Sequence, residues 1–233
     1  MAAVTSSAEA SVATCWGCGA APGGTRFCAA CGKIQPISRG ADYFAMLGLP
    51  RKLTIDADQL EARFHQLSWK LHPDNFVRAS EHERELSLES SSQLNDAFRT
   101  LRDPVSRVEY LLGQAGMRRE GQHKQQAPPE LLEEVFELNE WLDELREARQ
   151  AGGDPGARAE LGRRLENERR SFESKLELVD MELEGLSSDW DRAVDAGDEA
   201  TQKKLMDRMN DALNRRSYIR NLVQSVQKEL AEA

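Results

Sequence analysis

Four cysteines fall in two close pairs, Cys15-Trp16-Gly17-Cys18 and Cys28-Ala29-Ala30-Cys31, with a short Pro/Gly stretch between them. In a Cys-x-x-Cys turn two sulfurs can face one ion, and a glycine after the second cysteine of each pair, Gly19 and Gly32, frees the backbone for a tight path. Two such knuckles supply four soft thiolates at tetrahedral spacing, which suits structural Zn(II); iron in a rubredoxin-like site uses the same ligand set. No ligand position is left for a substrate, so the expected role of the metal is structural. Two disulfides or a thiol redox pair are the weaker alternatives. Confinement of every cysteine to this stretch argues for a local site and against a disulfide framework for the whole chain.

The second stretch with chemical potential is Leu71-His72-Pro73-Asp74-Asn75-Phe76. His72 and Asp74 do not read as a catalytic pair: a general acid or base needs a pocket and a reacting partner, and no serine, cysteine or second carboxylate motif accompanies them. They read instead as a preorganised polar tip, with Pro73 limiting its freedom and Asp74 offering a carboxylate to a charged partner.

Helices must position this tip. Before the tip, Leu60, Phe64, Leu67, Trp69 and Leu71 recur at spacings that give a helix an apolar stripe, with Thr54 or Asp56 as its N-cap. Arg63, His65, Gln66 and Lys70 lie largely off that stripe and form a basic patch. Pro73 cannot continue the helix, and the pattern resumes near Glu81 and runs through Leu86, Leu94, Ala97, Phe98 and Leu101 to the stop at Pro104. Upstream, Asp42 caps a short helix closed by Gly48 and Leu49-Pro50.

The run from Asp42 to about Leu112 resembles a J domain: short helix, long helix, His-Pro-Asp loop, long helix. Asp42-Tyr43-Phe44, the Leu71–Phe76 loop and Arg107-Val108-Glu109-Tyr110-Leu111-Leu112 resemble the HscB branch of J proteins, co-chaperones of iron–sulfur cluster assembly. The resemblance covers most of the chain from Asp42 onward and is strongest in the J region. It implies that His72, Pro73, Asp74, Arg63 and Lys70 contact an ATPase of the DnaK/HscA type, with Asp74 pairing to a basic site and Arg63 and Lys70 supplying complementary charge. The tetracysteine stretch resembles an N-terminal extension that some HscB-like proteins carry.

Beyond a polar loop at 118–127, Pro128-Pro129-Glu130 opens a helix in which Leu131, Leu132, Val135, Phe136, Leu138, Leu142 and Leu145 give more apolar surface than one stripe requires. After the break Gly152-Gly153-Asp154-Pro155-Gly156, a second helix is expected to end near Gly185, with a loop around Trp190 and Gly197, and a third carries Leu205 to Leu230. Three amphipathic helices bury their stripes as a bundle. On the first, Leu132 and Phe136 share a face close to Glu133, Glu137, Glu140 and Glu144, an apolar patch rimmed by acid that can select a partner by desolvation and charge; solvated helix acids are the bland alternative. The resemblance implies that this helix binds an IscU-type cluster scaffold through Leu132, Glu133, Phe136, Glu137, Glu140 and Glu144, joined by Tyr218. Here Glu133 stands where relatives often have an apolar residue, and Phe136 replaces a commoner leucine.

The expected organisation is a tail at 1–14, a zinc-ribbon-like module at 15–35, a J domain at 41–116 and a helical bundle at 128–233, mainly all-α. With 40 acidic and 31 basic residues and a formal charge of −9, the chain lacks the basic face of a general nucleic-acid binder. It has no apolar run long enough to cross a bilayer, and the first residues lack the features of a secretory or mitochondrial leader, so a cytoplasmic location is expected. The functional expectation is a non-enzymatic co-chaperone that stimulates a DnaK/HscA-type ATPase and presents an IscU-type scaffold to it. The alternatives are a general J-domain adaptor for unfolded clients and a zinc-dependent structural or regulatory protein with an inactive J-like loop.

Overall fold

The computed structural model describes residues 14–21, 26–37, 41–118, 128–150 and 154–232. The expected tail up to residue 13, and most of the loops expected near 22–25, 38–40, 119–127 and 151–153, lie outside the described residues. Seven α-helices occur among those described: α1 (Tyr43–Met46), α2 (Ala57–Leu71), α3 (Glu81–Arg102), α4 (Pro104–Gln114), α5 (Leu132–Gln150), α6 (Pro155–Asp195) and α7 (Glu199–Ala231). The chain forms two compact units. One comprises residues 1–51 and 55–102, the other residues 52–54 and 103–233.

The first unit contains the cysteine segment and helices α1 to α3. Each helix starts or stops where local chemistry requires it. Asp42 caps α1 by accepting the Phe44 N–H, and Asp56, rather than Thr54, caps α2 by accepting from Asp58 and Gln59. Pro73 ends α2, and a 3-10 turn over Pro73–Phe76 leads to α3. Phe44, Leu47, Leu60, Leu71, Leu94, Ala97 and Leu101 are almost fully buried. Phe64 of α2 stacks on Phe98 of α3, ring centroids 4.1 Å apart, which fixes the pairing of the two long helices. Trp69, expected on the apolar stripe, is instead 79% exposed. Its place two residues from Leu71 puts it about 200° away around the helix, on the opposite face.

The second unit is a helical bundle. Asp103 caps α4 through the Ser106 N–H, with Pro104 tolerated in the first turn. Its core draws Leu111 and Leu112 from α4, Leu138 and Leu145 from α5, Leu165, Phe172 and Leu183 from α6, and Met209 and Leu213 from α7. The residues Lys52–Thr54 belong to this unit: the Leu53 and Thr54 N–H groups donate to the Asp191 carboxylate at 2.7 and 2.9 Å, and Lys52 pairs with Asp195. Ion pairs Arg215–Glu182 and Arg216–Asp180 clip α7 to α6.

One expectation is corrected. The second helix of the bundle does not end at Gly185, and Trp190 is not in a loop: α6 continues through both to Asp195. Leu183, Leu186, Trp190 and Ala193 are all buried along one stripe, and that burial outweighs the cost of about 1 kcal/mol for one interior glycine. The turn comes at Gly197, which has φ +65°.

Candidate functional site

In the cysteine segment both knuckles close as their sequence requires. The Gly19 N–H donates to the Cys15 carbonyl at 2.9 Å and the Gly32 N–H to the Cys28 carbonyl at 2.8 Å. Both glycines sit at positive φ, +72° and +71°, which a side chain would resist. An isolated antiparallel bridge between Phe27 and Ile34 holds the second knuckle. The four Sγ atoms all lie within 4.8 Å of one another.

The neighbouring sulfurs pair across the knuckles, Cys15 with Cys31 at 3.6 Å and Cys18 with Cys28 at 3.8 Å. These separations are far from the ~2.0 Å of a disulfide and match the ~3.8 Å edge of a tetrahedron with metal–sulfur bonds of ~2.3 Å. The donor set therefore fits a closed four-thiolate metal site. Gln35 donates to the Cys15 Sγ at 3.3 Å, a hydrogen bond that favours the thiolate. As free thiols Cys15 and Cys31 differ strongly. Desolvation pushes Cys15 up, but the Gly17 and Cys18 N–H groups and the neighbouring thiols outweigh it and hold it at about 6. For Cys31 the Lys33 N–H acts downward; desolvation and the other three thiols outweigh it and push Cys31 up to about 12. The Cys15 proton leaves easily and that of Cys31 only against the negative charge beside it, which a bound cation would neutralise.

Trp16 ties the cysteine segment to its surroundings. Its Nε1 donates to the Ile34 carbonyl at 2.7 Å, and its ring meets His82 of α3 edge-on at 4.5 Å between centroids. Trp16 thus packs against the J region.

At the end of α2, His72, Pro73 and Asp74 are brought together in the 3-10 turn. His72 Nδ1 accepts the Asp74 N–H at 3.3 Å, the Asn75 N–H donates to the His72 carbonyl at 3.0 Å, and the Asp74 side chain is 85% exposed. Three side chains that the sequence reading did not assign hold this tip. Asn75 Nδ2 donates to the Trp69 carbonyl at 2.6 Å. The hydroxyls of Ser87 and Ser91 on α3 both donate to the Leu71 carbonyl, at 2.7 and 3.0 Å. That carbonyl has lost its helical partner because the Asn75 N–H is used elsewhere, so the two serines satisfy an acceptor that the proline break orphans. Mid-helix serines in Ser87-Leu88-Glu89-Ser90-Ser91-Ser92, poor helix formers, were the available signal.

Lys70 is exposed on α2 just before the tip. Arg63 is half-buried, and its guanidinium donates to the Leu47 and Gly48 carbonyls at the end of α1, which ties α1 to α2.

In the second unit α5 has two faces. Val135, Leu138, Leu142 and Leu145 are buried, whereas Leu132 is 55% and Phe136 66% exposed, beside the exposed Glu133, Glu137, Glu140 and Glu144. Tyr218 of α7 is half-buried against the core cluster, and burial pushes its phenol up. Glu229 accepts from Arg146 and Arg149, which sets the register of α5 and α7. Tyr218 is eleven residues before Glu229, about 16 Å along the axis of α7. Glu168 of α6 adds acid to this end of the bundle: desolvation first, then Glu134 and Glu137, raises its carboxyl.

A family model described as the DnaJ domain matches residues 42–110, helices α1 to α3 with the tip between them and most of α4. The co-chaperone protein HscB homologue of Vibrio vulnificus strain YJ016 is 34% identical over 154 residues, spanning 66% of this chain and 85% of that protein. The chain belongs to the HscB co-chaperone family. The HscB homologue of Bordetella avium strain 197N is 36% identical over 140 residues, 60% of this chain and 80% of that protein. The crystal structure of human co-chaperone protein HscB shares the fold, with a TM-score of 0.61 at 24% identity, covering 95% of this chain and 100% of that one. Chaperone HscB from Vibrio cholerae gives a TM-score of 0.53 at 26% identity over 80% of this chain and 96% of that one. As an HscB-family co-chaperone the chain is not an enzyme. The all-α fold, the J region, the helical bundle and the cysteine cluster stand as expected. No helix among the described residues is long and apolar enough to cross a membrane.

Proposed function

We propose that this HscB-family chain stimulates the ATPase of a DnaK/HscA-type chaperone through its J tip and delivers an IscU-type iron–sulfur scaffold to it on the outer face of α5. The observation that carries this reading is the presence, on one chain, of two separate exposed groups: the fixed His72-Pro73-Asp74 turn and the Leu132–Phe136 patch edged by Glu133, Glu137, Glu140 and Glu144.

At the tip, Asp74 presents a carboxylate with little left to order on binding, because the turn and the serine-anchored end of α2 already hold its backbone. It can accept from a cationic side chain of the ATPase, while Lys70 meets acid on the same partner. Such contacts act only by being stronger in the hydrolysing conformation than in the resting one; they bias the ATPase and transfer no group themselves. On α5, Leu132 and Phe136 offer apolar area that is free in the unbound chain, and the acids restrict which partners can cover it. Holding both partners on one chain raises the concentration of scaffold at the chaperone. The iron–sulfur cluster is cargo of the scaffold. Cys15, Cys18, Cys28 and Cys31 would hold Zn(II) as a structural ion that supplies folding free energy to a segment with almost no core. A pool of reduced thiols suits work in the cytoplasm.

Binding of an IscU-type scaffold, measured calorimetrically with the full chain, tests the reading. Replacing Phe136 and Tyr218 together by alanine is expected to abolish measurable binding while the helical signal is kept. Undiminished binding by the double variant, or equal binding of unrelated unfolded chains by the wild type, would refute the assignment.

A further inference from the structure

Within the first unit, the cysteine segment and helices α1 and α2 enclose an open groove of about 740 Å³. Arg26 and Gln35 line it from the cysteine segment, and Arg63, Gln66 and Lys70 line it from α2. Three cations, of which Arg63 is already bonded to the Leu47 and Gly48 carbonyls, and one carboxylate, Asp42, whose oxygen accepts the Phe44 N–H, line it. In a chain of net charge −9 this local excess of positive charge runs against the composition.

Arg26 is the least satisfied of the three. Its Nη1 is buried and has no hydrogen-bond partner among the described residues. A guanidinium nitrogen in that condition costs free energy until a further acceptor completes it, and the other nitrogens of the same group remain available to a carboxylate. The groove also has a definite place in the unit. Lys70, on its α2 wall, is two residues from His72, and the cysteine segment is seated beside the same end of the hairpin by the contact of Trp16 with His82, the second residue of α3.

We propose that the cysteine segment forms part of the ATPase-docking face: Arg26 faces Lys70 across the groove, and the two walls together receive an acidic segment of the chaperone ATPase. This rests on the co-chaperone reading above and extends it from the J tip to the metal module. Carboxylates are the fitting ligand, because a bidentate guanidinium and an ammonium on opposite walls pair with separate acids of an extended segment. Cys15, Cys18, Cys28 and Cys31, closed on an ion, would hold the short segment that carries Arg26 in register with α2. Positioning, with no chemistry at the metal, is their contribution.

The test uses the full metal-loaded chain and titrates stimulation of the DnaK/HscA-type ATPase from the same organism. Arg26→Gln is expected to raise the co-chaperone concentration at half-maximal stimulation about three- to fivefold, and Arg26→Glu about tenfold or more, with the maximal rate kept. The salt dependence of that concentration should become shallower in both, and Arg26→Lys should recover most of the affinity. Metal content and tryptophan fluorescence of each variant report whether the segment is intact. If the wild type stimulates and intact Arg26 variants match it at low salt, the inference is overturned while the co-chaperone reading stands. It is equally overturned if Arg26→Lys is as defective as Arg26→Glu and both lose metal, since the residue is then purely structural. A wild-type chain that gives no stimulation refutes the co-chaperone reading itself.

Discussion

Removing the two serine hydroxyls that meet the Leu71 carbonyl should loosen the J tip far more than removing either one. Ser87 Oγ is fully buried at 2.7 Å from that oxygen and Ser91 Oγ lies at 3.0 Å. Each single change, Ser87→Ala or Ser91→Ala, deletes one bond and leaves the other, at a cost of about 1 kcal/mol. The double change leaves a buried carbonyl with no partner, and the desolvation of that group adds a further ~1–2 kcal/mol, giving about 3 kcal/mol in all. Amide hydrogen exchange on the full chain reads this as local opening of α2 and α3. About 3 kcal/mol corresponds to roughly 100-fold faster exchange in the double variant, against about fivefold in each single one. Helices α5 to α7, in the other unit, should exchange as in the wild type. Strict additivity of the two singles, or a double variant with unchanged exchange at the C-terminal end of α2, would refute the idea that these serines hold the tip.

The metal site and the bundle give further expectations. Protein purified without added metal should carry about one zinc ion per chain by elemental analysis, and Cys18→Ser should lose it; because the ion competes with protons for thiolates, retention should fall as pH falls, and a folded metal-free segment with four reduced thiols would contradict the site. Arg146, then Arg149, hold the Glu229 carboxyl below its usual value. A depressed carboxylate contributes stability that is present above its unfolded value and is lost as pH falls through the folded one. The Glu229 side chain is only 11% exposed whereas that of Arg146 is 46% exposed, so Glu229→Gln should lower stability at pH 7 by about 1–2 kcal/mol in denaturant unfolding, with the difference shrinking below about pH 4. A difference independent of pH would show that the ion pairs are not its source. Phe136→Ala alone should weaken scaffold binding about 5- to 30-fold, from the ~1–2 kcal/mol that covering a two-thirds exposed ring supplies, while thermal stability changes by less than about 0.5 kcal/mol.

Helix positions were legible where side-chain chemistry dictates a start or stop locally. Asp42, Asp56 and Asp103 cap as such residues do, Pro73 and Pro104 break as prolines must, and the Phe64–Phe98 contact follows from two stripes that had to meet. The end of α6 was not legible, because a glycine lowers helix propensity locally while the burial of Leu186, Trp190 and Ala193 against distant residues decides the outcome. The cysteine cluster could be read from spacing alone, since two tight turns fix four sulfurs. Neither the seat of Trp16 on His82 nor the serine clasp on Leu71 could be, because each joins residues apart in the chain that no spacing pattern links. The α5 face lies between these cases. Its excess of leucines over one stripe was visible, and the structure assigns Leu132 and Phe136 to the outside.

The central claim is that one chain triggers a chaperone and holds its client, and steady-state ATP hydrolysis by the DnaK/HscA-type partner measures both at once. The wild-type chain is expected to raise the rate, and an IscU-type scaffold added with it to raise the rate beyond the sum of their separate effects. Asp74→Asn should abolish the part that depends on the chain. Equal stimulation by Asp74→Asn and wild type, or purely additive effects of chain and scaffold, would contradict the account.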